Sequence, residues 1–222
     1  MLIPSERWRE YYPGAVAGAV AVYGLSDQPG RDDLRGFLCS LELRLKERHG
    51  SGHGDELSRR IRAYAAYYRR FGKTYHVLLQ YRSVAQEGKP IRSGLPLVEA
   101  MFAAELDSLI LTAGHDLDLV KPPVVVDVSA GDERYVTLRG EERTLKKGDM
   151  FMRDGEGVIS SVIYGPDRRT MLHPLSRNAL FCAYAPEGVG EDAVRSHLEA
   201  LARNVLLLCP NARVAGTWMC AA

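Results

Sequence analysis

Apolar residues recur along this chain with two different periods, and the change from one to the other divides it. In the first part the spacing is helical. Leu34, Leu38, Leu41 and Leu45 return at steps of three and four residues and predict a helix over 32–48. A second helix is predicted over 57–71, a short third over 75–84, and another over 96–111 with Leu97, Met101, Ala104 and Leu109 turned inward. Ahead of them, 15–23 reads as a buried strand, followed by a turn-rich stretch at 26–30. The sequence HGSGHG at 49–54 predicts a flexible break between the first two helices.

Beyond Lys121 the pattern shortens. Runs rich in β-branched and aromatic residues predict strands at 124–128, 135–138, 150–153, 158–164 and 179–184, separated by Gly and Asp turns. Val194, Leu198, Leu201, Val205 and Leu208 then mark a closing helix over 189–207, with a last strand at 213–216. The expected fold class is α+β, with a mixed, mostly antiparallel sheet and flanking helices. The chain is read as a single domain over 1–222. Its helix-rich half covers about 12–111, and its strand-rich half with the closing helix about 112–216.

Composition narrows the picture only slightly. At 222 residues and 46% hydrophobic, the chain can bury roughly 70% of its unfolded surface without a metal or disulfide staple. Cys39, Cys182, Cys209 and Cys220 form no C-x-x-C pair and are expected to be buried, reduced thiols in a reducing compartment. The apolar stretch 14–25 is too short for the ~20 residues that span a bilayer, and charges occupy the place of a signal-peptide core. A cytoplasmic protein without a membrane partner is expected.

Charge changes the picture more. The formal net charge is +1, which argues against a uniformly basic binder. Residues 31–92, however, hold 14 Lys and Arg against 7 Asp and Glu, a net of +7, and the remainder carries −6. On the helix at 57–71, Leu57, Ile61, Tyr64, Tyr68 and Phe71 share one face, and Arg59, Arg62, Arg69 and Arg70 fall opposite. Two readings fit: a solvated amphipathic helix, or a stripe that contacts phosphates.

Three further stretches carry candidate chemistry. His115 and Asp116, in HDLD, are expected in a loop, where a His beside carboxylates can orient a water or a substrate amine. A plain surface turn capped by Asp116 is the alternative. Arg168 and Arg169, in YGPDRRTM after Tyr164, suit bidentate capture of a phosphate or carboxylate; an ion pair with Asp154 or Asp167 is the alternative. Ser160 and Ser161 lack a G-x-S-x-G elbow, so a serine hydrolase is not expected. His49 and His53 have metal-like spacing but lie in predicted coil. No Walker loop or G-x-G-x-x-G is present, so neither metal nor cofactor is expected.

Several stretches together resemble a known family. They are AYYRRFGKTYHVLLQYR at 66–82, LPLVEAMFAAELDSLILTAGHDLDLV at 95–120, an L-x-x-G-D-x-x-x-x-D pattern ending at Asp154, and GVISSVIYGPDRRTMLHPLSRN at 157–178, which closes on a Ser-x-Asn. In order and spacing over most of 12–216 they resemble the tRNA-editing region of the phenylalanyl-tRNA synthetase beta subunit, its third and fourth structural domains, in a freestanding form. The resemblance implies a domain that accepts the 3′ end of a mischarged aminoacyl-tRNA and hydrolyses its ester in trans. His115 and Asp116 would orient water or the substrate amine. Thr112, Ser160, Ser161 and Tyr164 would shape the pocket, and Arg168 and Arg169 would bind the terminal phosphate. Arg59, Arg62, Arg69 and Arg70 would touch the tRNA body.

The chain departs from the family pattern at the pocket. Phe102 stands where the pattern has Asn, Ala113 where it has His, and Ser160-Ser161 where it has Gly-Gly. Side chains in place of Gly-Gly imply a narrower or more polar pocket, suited to an amino acid smaller or more polar than tyrosine. Two other functions remain open: a non-catalytic module that binds tRNA, an amino acid or a peptide on the same scaffold, and a small-molecule hydrolase or binder unrelated to RNA.

Overall fold

The computed structural model describes residues 2–25 and 28–222. The turn expected at 26–30 falls partly on Ser26 and Asp27, outside the described residues. In chain order the elements are β1 (Leu2–Pro4), α1 (Glu6–Tyr11), β2 (Val16–Tyr23), α2 (Arg31–Ser51), α3 (Gly54–Arg69), α4 (His76–Ala85), α5 (Pro96–Ser108), β3 (Leu111–Asp116), β4 (Val124–Val128), β5 (Arg134–Val136), β6 (Glu142–Thr144), β7 (Met150–Arg153), β8 (Val158–Ser161), β9 (Gly165–Pro166), β10 (Asn178–Ala185), α6 (Glu191–Leu208) and β11 (Arg213–Ala221). The fold is α+β, as expected, with mixed and antiparallel sheets and helices around them.

Two sheets form the frame. One has the order β11-β2-β10-β3 and is antiparallel throughout. The other runs β1-β4-β7-β8-β9, with β1 and β4 parallel and the rest antiparallel. A small hairpin, β5-β6, stands apart. In the first sheet, β2 is built almost wholly of small and β-branched residues, so a helix can lie close on it. At Gly18 on β2, an added Cβ would stand 2.8 Å from Leu198 Cδ1 and 3.0 Å from Val194 Cγ1, so α6 packs almost against the strand backbone. Helices α2, α4 and α5 cover the next layer, and Leu34, Leu38, Leu41 and Leu45 are buried along α2 as their spacing predicts.

The differences from the expected elements have local causes. The helix expected over 96–111 ends at Ser108, because Leu109 takes a left-handed backbone (φ 54°) and its N–H closes on the Glu105 carbonyl at 2.7 Å. The chain reverses there and enters β3. His115 and Asp116 therefore lie in a strand rather than a loop. A left-handed leucine costs roughly 1–2 kcal/mol, offset here by complete burial of its side chain. The break expected at 49–54 shrinks to Gly52 and His53, and both histidines sit at helix ends with their rings against Tyr81. The last strand extends to Ala221 because β2 pairs along its whole length. β1, α1, β6 and β9 were not expected from the pattern.

None of the four cysteines is in a disulfide among the described residues, but only Cys182 and Cys209 are buried; Cys39 is exposed and Cys220 half-buried. Among the described residues no helix is long and apolar enough to cross a membrane.

Candidate functional site

Two regions hold the polar chemistry, and β3 runs between them. The first is a carboxylate cluster near the C-terminal end of β3. Asp154 is its centre. It accepts the backbone N–H of Lys121 at 2.8 Å, of Glu156 at 2.9 Å and of Gly157 at 3.1 Å, and Arg169 Nη2 at 2.8 Å. Burial alone would raise its pKa, but these N–H groups and Arg169 outweigh burial and hold it below the usual carboxylate range. Arg169 also reaches Glu156 at 3.3 Å, Asp167 at 3.8 Å and the Leu119 carbonyl at 3.0 Å. The ion pair with Asp154 and Asp167 that the sequence left open is therefore the arrangement found.

His115 is fully enclosed beside this cluster. Its Nδ1 lies 2.8 Å from Thr170 Oγ1. The Thr170 hydroxyl donates to Asp167, so it accepts from the His115 Nδ1–H. Nε2 is then a bare acceptor, buried and without a hydrogen-bond partner among the described residues. Burial pushes the imidazole down to about 3, so the ring is neutral at pH 7. Asp116 is spent on structure. It accepts the Asp118 N–H at 3.0 Å, which caps a 3-10 turn at Leu117–Leu119, and the Ser176 hydroxyl at 2.7 Å, with His173 Nε2 at 3.0 Å. Asn178 bonds Asp118 at 2.7 Å, so the Ser-x-Asn stretch fastens β10 to the end of β3.

Ser160 and Ser161 point into the core. Ser160 bonds the Tyr184 hydroxyl, and Ser161 bonds Asp149, which also accepts from Tyr67 at 2.6 Å. Burial pushes Asp149 up to about 6, against the hydroxyls of Ser161 and Tyr67. Both aspartates of the L-x-x-G-D-x-x-x-x-D pattern thus hold the frame.

The second region is a cavity of about 360 Å³ between α4, α5 and β3. Its walls are mostly apolar: Val98, Met101 and Phe102 from α5, Ala113 from β3, and Leu138, Met171 and Leu172 from the connections. Glu105 enters it from α5 and is 2% exposed. Its Oε1 accepts the Thr112 N–H at 2.6 Å. Burial pushes this carboxyl up to about 8, against that one N–H. Its Oε2 has no hydrogen bond among the described residues. The hydroxyl of Thr112 is turned to His197 Nε2 at 2.7 Å.

β3 is the edge of its sheet, and the cavity lies along that edge. Alternate residues of an edge strand direct their N–H groups outward. Thr112 gives its N–H to Glu105, and Asp116 gives its N–H to the Thr170 carbonyl at 2.7 Å. By the same alternation the Gly114 N–H faces the cavity side. A Cβ on Gly114 would stand 2.6 Å from Leu172 Cδ1, so only glycine lets the wall approach so closely.

A neighbouring cleft shares His76 with the cavity and is lined by Lys73, Thr74 and Tyr164. The Lys73 ammonium lies 5.2 Å from the Tyr164 ring centre. Arg168 is exposed and lies against Gly140, beyond the Leu138 side of the cavity. On α3, Arg59, Arg62 and Arg69 are exposed, with no carboxylate within 4.0 Å among the described residues. Arg70, just past the helix, is stacked among Tyr11, Tyr12, Tyr67 and Phe71.

No model of a known protein family matches the chain. Over 88 residues, 38% of this chain, it is 34% identical to the phenylalanine–tRNA ligase beta subunit of Oleidesulfovibrio alaskensis, of which that stretch is 11%. Its structure matches an N-terminal fragment of the phenylalanyl-tRNA synthetase beta subunit from Pyrococcus horikoshii, with a TM-score of 0.52 and 14% identity, over 96% of this chain and 50% of that one. The chain has the fold of that fragment. It spans half of the synthetase fragment's length and a small part of the full subunit.

Within this synthetase-like fold the expected site residues separate. Phe102, Ala113 and Thr112 line the cavity. Tyr164 stands in the adjoining cleft and Arg168 is exposed nearby. His115, Asp116, Ser160, Ser161 and Arg169 are not brought to the cavity. The two serines therefore do not line it. Glu105 and Gly114 were not among the expected residues. Glu105 did carry a signal, a charge on the stripe Leu97–Met101–Ala104 where the helix turns inward. Gly114 carried none, because its role depends on which edge of β3 is free.

Proposed function

We propose that this protein seats the aminoacylated 3′ end of a tRNA and hydrolyses its ester in trans, with the amino acid in the cavity between α4, α5 and β3. The observation that carries the reading is that cavity. It is apolar, holds the enclosed Glu105 carboxyl, and is lined by Phe102 and Ala113, the two positions the synthetase resemblance assigns to an amino-acid pocket. An aminoacyl ester is already activated, so positioning and a donor for the developing oxyanion are sufficient chemistry. The Gly114 N–H supplies the donor in this reading. Lys73, Tyr164 and Arg168 receive the terminal nucleotides, and Arg59, Arg62, Arg69 and Arg70 face the tRNA body. His115 and Asp116 act by holding β3 in place, and Arg169 by holding the turns around it. This chemistry needs no cofactor or metal, and a cytoplasmic setting follows from the substrate.

The test is direct. Purified protein is incubated with a panel of mischarged tRNAs and ester loss is followed. Faster loss for at least one pair supports the reading; rates equal to buffer alone across the panel remove it. The enclosure of His115 favours a second reading, a binding module without catalysis, since it keeps the one histidine of HDLD away from any substrate. That module would bind tRNA in a salt-sensitive manner and leave the ester intact.

A further inference from the structure

We infer that Glu105 is the residue that recognises the substrate's α-ammonium group, so that the cavity selects aminoacyl groups with a free amine and an apolar side chain and rejects N-blocked ones. This deepens the reading above and rests on it only in taking the cavity as the seat of the amino acid. Three features of the site carry it.

The first is position. Among the described residues Glu105 is the one acidic side chain lining the cavity, on walls that are otherwise mostly apolar. A carboxyl placed there costs solvation, and a hydrophobic residue of similar size would fill the wall better. The second is its incomplete bonding. Oε1 is held by the Thr112 N–H, which fixes the rotamer, and Oε2 is left without a partner among the described residues. One oxygen anchored and one open is the geometry of a group kept for a ligand. The third is the neutrality of what surrounds it. Tyr64, Tyr68 and Tyr75 near Glu105 are all raised by burial and stay protonated. His197, behind Thr112, is pushed down to about 3, and His76, on the α4 wall, is lowered by burial as well. Arg60 on α3 is taken by Glu56 and the Ser108 carbonyl. Gln80, also on the α4 wall, is an uncharged acceptor, so among the described residues Glu105 is the one group lining the cavity that can set a negative charge against an incoming ammonium.

The proton balance follows. In the empty cavity at pH 7 the carboxyl is mostly protonated. An ammonium arriving at Oε2 favours the carboxylate, and the displaced proton goes to solvent. An N-acylated amine brings no charge and leaves the carboxyl as it was. The apolar walls set the side-chain class, because a charged side chain would be desolvated there without a partner.

The experiment needs no tRNA. L-phenylalaninol, an alcohol analogue of an aminoacyl ester, and its N-acetyl derivative are titrated into the whole 222-residue chain by calorimetry. Two buffers of different ionisation enthalpy are used at pH 7. The expected result is binding of the free amine with release of close to one proton, and binding of the N-acetyl compound weaker by roughly 10- to 100-fold with no release. Glu105→Gln keeps an acceptor for the Thr112 N–H, and it should abolish the proton release and weaken the amine by a similar factor. Equal binding of the two probes, undiminished proton release in Glu105→Gln, or no binding of either probe overturns the inference. If Glu105→Gln does not fold, the contrast between the probes on the wild-type protein still decides. Absence of deacylation across the tRNA panel alongside intact, amine-dependent probe binding removes the enzyme and leaves the recognition standing.

Discussion

The two polar regions on either side of β3 use the same residue types to opposite ends. In the Asp154 cluster every carboxylate is answered. Three N–H groups and an arginine converge on Asp154, and hydroxyls close on Asp116 and Asp167. In the cavity one carboxyl, Glu105, is half answered, and around it lies space rather than side chains. The carboxylate of Asp154 is used up within the fold, whereas Glu105 has one oxygen anchored and the other turned to open cavity space. Charge and motif alone draw the eye to the satisfied region, since HDLD and DRR look more like chemistry than a glutamate inside an apolar helix does.

The largest effect should come from breaking the satisfied side. Asp154→Ala leaves three backbone N–H groups without their acceptor and takes from Arg169 its shortest ion pair. We expect destabilisation by about 3–5 kcal/mol, seen as a fall in melting temperature of roughly 10 °C or more. Probe binding at low temperature should be unchanged. A variant that melts with the wild type would mean that the cluster does not hold the fold, and the contrast between the regions would collapse.

The second prediction sets the regions against each other by pH. The folded value of Glu105, about 8, lies above its ordinary 4.5. Its contribution to stability is therefore fully present below pH 4.5 and is lost as pH rises through 8. His115 is displaced the other way, from 6.5 to about 3. Its contribution is fully present above pH 6.5 and is lost as pH falls through 3. Urea unfolding of wild type and Glu105→Gln from about pH 5 to about pH 8 should give a difference curve that moves steadily in favour of the variant as pH rises. A flat difference would show that Glu105 is already ionised in the folded protein.

A third and smaller effect is expected at Gly114. Gly114→Ala places a methyl 2.6 Å from Leu172 Cδ1, a side chain on the half-buried cavity wall that can shift. Overpacking of this kind costs about 1–2 kcal/mol. The sharper consequence is for chemistry. Narrowing the approach to the edge N–H should slow ester hydrolysis more than it weakens phenylalaninol binding, which a comparison of deacylation rate with calorimetric affinity reads directly.

Much of the fold was legible because its elements keep their periods. The buried leucines of α2 and the apolar stripe of α6 sit where their spacing put them. β3 was hidden for a physical reason. LILTAG is apolar on both faces, which suits a buried helix end as well as a strand enclosed on both sides, and the reversal at Leu109 uses no glycine to announce it. The candidate site was less legible. Asp154, Asp167 and Arg169 lie close in sequence, but nothing in their order says whether an arginine faces a phosphate or its own carboxylates. That choice depends on the Lys121 and Gly157 backbone arriving from neighbouring turns. Glu105 was visible only as an exception, a charge on an inward stripe.

The smallest effect on stability should come from α3, the region whose charge the chain total of +1 conceals. Its exposed arginines differ from Arg169 in having no carboxylate beside them among the described residues, and they differ from Arg70. Arg70 is stacked on four aromatic rings, so removing it disturbs packing as well as charge. Arg59, Arg62 and Arg69 have no such ties among the described residues, and replacing all three with Gln should change unfolding free energy by no more than about 0.5 kcal/mol. If they meet phosphates, tRNA affinity should fall. The slope of log affinity against log salt should then shrink by close to one for each phosphate that is no longer neutralised. Phenylalaninol binding in the cavity should not move. An unchanged salt slope would assign these arginines to solvation of the helix and leave RNA binding to Lys73 in the neighbouring cleft and to Arg168 beside Gly140.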